Sequence, residues 1–175
     1  ERRRGGEVGV RSVRCISGTD VWRSQADGLC PPNLFDAAIA TIVEPHGDPR
    51  QYTDEVFALD VEYGDGLRAT TFLLGDFARV WGYAYMPVGG RCEAASTVLD
   101  PPPRRAHFSA LTRRLEDMFL SGYSTTPAER TYLTTGVLAY LVESAYRGGA
   151  PVATPDLDVR YTVPGSDAGA RHHRR

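Results

Sequence analysis

Residues 55–63 set Phe57, Leu59, Val61 and Tyr63 on one side of an extended chain, and Asp60 and Glu62 on the other. That period of two predicts a half-buried strand. Gly64-Asp65-Gly66 reads as a hairpin turn, and residues 67–74 return as a second strand. Residues 79–88 predict a third, with Arg79, Trp81, Tyr83 and Tyr85 on one face. Gly89-Gly90 turns the chain into a fourth, residues 91–99. Ahead of this four-strand meander, residues 8–16 read as a strand and residues 20–32 as a connector. Residues 33–43 read as a short helix with Leu34, Phe35, Ala38, Ile39 and Ile42 inward, and residues 44–54 as a loop.

Past Pro101-Pro102-Pro103 the apolar period changes to that of a helix. Helices are predicted over 106–121 and 127–147. The second carries its own boundaries. Thr126 and Glu129 have capping-box spacing, with Pro127 at the first helical position. Leu133, Val137, Leu138, Leu141, Val142 and Ala145 form one apolar stripe. Gly148 and Gly149 supply the left-handed stop, and Pro151 prevents continuation. A last strand is expected over 157–163 and a polar, disordered tail over 164–175. The order strand, helix, four-strand meander, two helices, strand predicts an α+β fold: a largely antiparallel open sheet with helices packed on one face.

Composition narrows the function classes. The chain has 175 residues, enough for a real core in one domain, and 42% of them are apolar. A net charge of −2 gives no general attraction to nucleic acid. No apolar run approaches the roughly 18 residues of a membrane span, and no secretory pattern opens the chain. The expectation is a cytoplasmic protein. Cys15, Cys30 and Cys92 are odd in number and widely spaced, which suits buried thiols rather than disulfides or a zinc site. Lysine is absent, so all 20 basic residues are arginine. No Gly-x-Gly-x-x-Gly joins a strand to a helix.

Leu141, Glu143, Ser144, Ala145, Gly148, Gly149 and Val152 resemble the C-terminal helix and strand of the Gfo/Idh/MocA family of NAD(P)-dependent oxidoreductases. Members end with an alanine-rich helix bearing Tyr-x-Ser-Ala, then Gly, then x-Pro-Val and a short strand. Residues 108–122, with Leu115-Glu116-Asp117-Met118-Phe119, resemble the preceding helix of one branch. The resemblance spans residues 1–163. It implies the family's second domain, which faces substrate and in many members pairs with another subunit. The residues Glu1-Arg2-Arg3-Arg4-Gly5-Gly6 would then be the last turn of a helix lying after the family's functional residues. In the family, NAD or NADP is held by a separate Rossmann domain, and a Glu-Lys-Pro motif with a His-x-x-Asp helix relays the proton. None of these motifs is found here. Lysine is missing, and His46, His107, His172 and His173 fall outside that frame and in no zinc spacing.

No catalytic, cofactor-binding or metal residue is therefore assigned. The candidate substrate or interface residues are Arg79, Trp81, Tyr83 and Tyr85, with Arg91 and Glu93 as neighbours on the next strand. Aromatic rings beside an arginine suit a polyol, sugar acid or carboxylate. The same residue types suit an interface centre, and a dimer is the competing reading. Glu116 and Asp117 are adjacent on a helix and do not face each other. Ser144 has no nucleophile context and reads as packing. Two functions follow. The first is a substrate-facing and oligomerising domain of a Gfo/Idh/MocA-type oxidoreductase without its Rossmann domain, inactive alone: a fragment, or a chain completed by a separate Rossmann-containing chain, and a homo-oligomer. The second is a stand-alone module that holds a small ligand or a partner.

Overall fold

The computed structural model describes residues 6–97, 106–124 and 126–162. In chain order these form β1 (Glu7–Val8), β2 (Val10–Ser17), α1 (Thr19–Ala26), α2 (Pro32–Ala40), β3 (Val56–Tyr63), β4 (Arg68–Leu74), β5 (Trp81–Tyr85), β6 (Glu93–Thr97), α3 (Ala106–Ser121), α4 (Ala128–Tyr146), β7 (Val152–Ala153) and β8 (Arg160–Tyr161). The readings of the amino-terminal arginines and of the tail over 164–175 lie outside the described residues.

The main sheet has the order β4-β3-β2-β7, with every pair antiparallel. The hairpin at Gly64-Asp65-Gly66 closes as its sequence predicts, with Gly66 N–H donating to Tyr63 O at 3.0 Å. The predicted four-strand meander does not form. Among the described residues β5 and β6 pair only with each other, and β1 pairs with β8. A short 3-10 turn at Gly75–Phe77 buries Phe77 and separates β5 from β4.

Helices lie on both faces of the main sheet, not on one as expected. Cys15 and Ile16 are successive residues of β2, so they point to opposite faces. Cys15 joins Val10, Val13, Leu133, Leu141 and Leu157 in a core beneath α4. Ile16 joins Val21, Leu29, Val56 and Ala58 in a second core on the α1 side. The alternation of β3 hides this arrangement. Val56 and Ala58, on the side of Asp60, are more deeply buried than Phe57 and Leu59 on the apolar side. Asp60 is itself buried, and accepts hydrogen bonds from Arg68 Nη2 at 2.7 Å and Thr70 Oγ1 at 3.0 Å.

The predicted connector over 20–32 is mostly α1. Only Val21 and Gln25 of that helix are buried, too few apolar positions to announce it. α4 starts at Ala128, one residue later than its sequence suggests. Pro127 is the N-cap, in extended geometry, and no side chain caps the helix, so the Thr126–Glu129 capping box is not made. The other end is as predicted. Gly148 N–H donates to Ala145 O, and Gly149 N–H to Ser144 O at 2.8 Å, with Gly148 left-handed at φ 69°. This is the paired-bond stop that a glycine favours.

The single stripe expected on α4 is two faces. Leu133, Leu141 and Ser144 are buried against the sheet. Leu138 is 61% exposed, and Val142 and Ala145 also face outward.

Candidate functional site

The aromatic ribbon is built on a helix. In β5–β6 the register pairs Trp81 with Thr97, Tyr83 with Ala95 and Tyr85 with Glu93. Gly82 faces α2 so closely that a Cβ there would lie 2.7 Å from Ala38 O and 2.8 Å from Ile42 Cδ1. The absence of a side chain at Gly82 lets the ribbon lie flat on α2. By alternation, Trp81, Tyr83 and Tyr85 then point away from α2. Trp81 is 71% exposed and Tyr83 51%, while Tyr85 is half-buried and its hydroxyl donates to the Glu93 carboxylate.

Two of the six candidate residues lie off the strands. Arg79 precedes β5, and Arg91 lies in the turn before β6, so neither belongs to the ladder. Arg79 still reaches the site. It lines a cavity of about 270 Å³ with Ala78, Val80, Trp81 and Thr97. The exposed Arg79 and Trp81 share this lining, and the Thr97 hydroxyl donates to Trp81 O at 3.3 Å; a guanidinium and an indole in one cavity suit a small carboxylate or polyol. Thr97 is the addition that sequence reasoning missed. Cross-strand register places it, and register is not a local signal.

A wider groove of about 600 Å³ runs between α4 and β7, lined by Tyr140, Glu143, Arg147, Val152 and Pro155 among others. Its polar groups already serve each other. Arg147 Nε bonds Glu143 Oε1 at 2.7 Å, and Tyr140 Oη donates to Asp156 Oδ2 at 2.9 Å. The Asp156 carboxylate holds the Tyr140 phenol above its ordinary pKa, keeping it neutral. Nothing there converges on an added ligand, so size does not make it the better site.

A dinucleotide does not fit the described residues. Pyrophosphate needs several glycines between a strand and a helix N-terminus. The β2–α1 turn has the single Gly18, and Asp20 sets a negative charge in the first turn of α1. Among the described residues no cluster of His, Cys, Asp or Glu could hold a metal ion. His46 is exposed on a loop, its Nδ1 3.0 Å from Asp76 O, and His107 is exposed on α3.

The three thiols are free. Burial pushes the Cys15 thiol up. Burial, then the Asp60 and Asp36 carboxylates, push Cys30 up against a lowering hydrogen bond at Phe35. Protonated thiols are poor nucleophiles. A disulfide reagent at mildly alkaline pH is expected to modify Cys92 in the native protein and Cys15 only after denaturant. Native-state labelling of Cys15 at the Cys92 rate would contradict its place under α4.

Ser144 performs the task that its sequence suggested, packing, but with a polar component. Its buried hydroxyl accepts from Cys15 N–H at 2.9 Å and donates to Ala150 O at 2.7 Å. Arg14 Nε bonds Gly149 O at 2.8 Å, and Val152 pairs with Val13. Ser144, Gly149 and Val152 thus form one joint that fastens the end of α4 and β7 to β2.

Comparison with protein-family models, with curated proteins and with solved structures finds no match to this chain.

Proposed function

We infer that this chain is a substrate-facing and oligomerising domain of a Gfo/Idh/MocA-type oxidoreductase, with the nicotinamide cofactor supplied from outside the residues described. The joint around Ser144 carries the reading. Five of the seven residues of the resemblance, Leu141, Ser144, Gly148, Gly149 and Val152, lie together where α4 ends against β2, while Glu143 and Ala145 face outward. A capped helix alone would need no buried serine joining β2 to the loop that leads into β7.

The Arg79–Trp81–Thr97 cavity is then the substrate-facing part, suited to a small polar molecule bearing a carboxylate or hydroxyls. The chain would bind this molecule without transferring a hydride. Titration calorimetry with NADH and NADPH is expected to show no heat of binding up to about millimolar concentration. A micromolar dissociation constant for either would end the reading.

The cavity also favours a second reading, a stand-alone ligand-binding module. Coding sequence separates the two. A glycine-rich strand–turn–helix encoded in the same transcript supports the oxidoreductase domain. In its absence, saturable quenching of tryptophan fluorescence by a sugar acid, abolished by Arg79→Ala, supports the module.

A further inference from the structure

We propose that α3 and the outer side of α4 form the docking surface for a second copy of this chain, with α3 of each copy lying on α4 of the other. The proposal rests on the oligomerisation half of the reading above and locates it.

α3 is exposed from His107 to Asp117, and its half-buried Met118 is followed by exposed residues again. Yet it is amphipathic. At about 100° per residue, Phe108, Leu111 and Phe119 fall within roughly 40° of Leu115, on one side of the helix. Phe119 is 79% exposed, and the other three are exposed too. α4 presents the matching surface. Thr131, Thr135, Leu138, Val142, Ala145 and Tyr146 lie on its outer side, all exposed, with Tyr146 at 89%. That side carries no charge over the length of the helix. A helix face meant for water alternates charges, and this one does not.

Area decides between this surface and the aromatic ribbon. The exposed apolar side chains of the two helices leave roughly 800 Å² uncovered, taking about 150–250 Å² for a full aromatic ring and less for an aliphatic chain. That equals the share of one partner in a standard interface, about 800 Å². Trp81 and Tyr83, with Met86 and Val88 at the end of the ribbon, leave roughly 550 Å², less than one partner's share of a standard interface.

The reciprocal arrangement covers both surfaces at once. Pairing α3 with α3 would leave the α4 face bare. Antiparallel across a two-fold axis, it would also set Arg114 against Arg114 and Glu116 against Glu116, since these flank the stripe on opposite sides. The uncharged α4 face avoids that repulsion. A chain could instead fold its own α3 onto its own α4, but both surfaces are exposed within one chain.

Light scattering at micromolar concentration tests the proposal. The wild-type chain is expected to show twice the single-chain mass. Leu138→Glu and Leu115→Glu each place a charge in the contact and should halve that mass, with circular dichroism unchanged because both residues are exposed in the monomer. Tyr83→Glu should leave the dimer intact. A monomeric wild type overturns the proposal, whether α3 is free or folded back on its own α4, as deuterium exchange along α3 would tell. A dimer that survives both helix variants, or dissolves in Tyr83→Glu, overturns it as well. Failure of the oxidoreductase reading would appear instead as NADH binding in calorimetry, with no bearing on mass.

Discussion

Gly9→Ala is expected to destabilise the protein by roughly 2–5 kcal/mol, the sum of a left-handed backbone penalty and overpacking. Gly9 joins β1 to β2 at φ 79°. There the chain leaves its pairing with β8 and enters the main sheet. A Cβ at this position would stand 2.5 Å from Leu157 O and 2.9 Å from Asp158 Cα. Those are backbone atoms of a segment anchored by buried Leu157, and they cannot rotate away as a side chain would. Gly28→Ala is the control. Its φ is 90°, but nothing lies within 4 Å of the added atom. It should cost only the backbone penalty, about 1–2 kcal/mol. Urea denaturation of the two variants reads the difference. Equal midpoints would mean that the close approach at Gly9 is not present in solution.

Leu141→Ala is expected to cost about 2–5 kcal/mol, the range for a buried leucine that leaves a cavity. Leu141 is buried in the core formed by Val13, Cys15 and Leu133. Leu138→Ala, measured where the chain is monomeric, should change stability by less than about half a kilocalorie, as an exposed position does. Both leucines belong to the apolar stripe that the sequence suggests for α4, and only one faces the sheet. A large loss at Leu138 with a small one at Leu141 would mean that α4 packs through its other side.

The ribbon and the joint differ in how far the chain announces them. Trp81, Tyr83 and Tyr85 share a face because strand side chains alternate, which any reader of the sequence can count. That the face turns outward follows from Gly82 against Ala38 of α2, a contact across 44 positions that no local pattern encodes. Period-two counting puts Arg79 on the ladder, and it lies before it because the turn at Gly75–Phe77 ends the preceding strand and delays the next. Ser144 carried no chemical signal in the sequence. Its role depends on Cys15, 129 residues away.

Local spacing was sufficient for several elements, though not for the Thr126–Glu129 capping box or for α1. The Gly64-Asp65-Gly66 hairpin, the extent of α3, the glycine stop of α4 and the α+β class all rest on turn chemistry, periodicity and capping within a few residues. Tertiary structure alone decided which strands pair, and that helices cover both faces of the sheet. It also decided which half of the α4 apolar residues is buried. Those choices depend on what each face finds opposite it. Cys15 and Ile16 are equally apolar and adjacent, yet one meets α4 and the other the side of α1, because neighbouring strand residues point to opposite sides of the sheet.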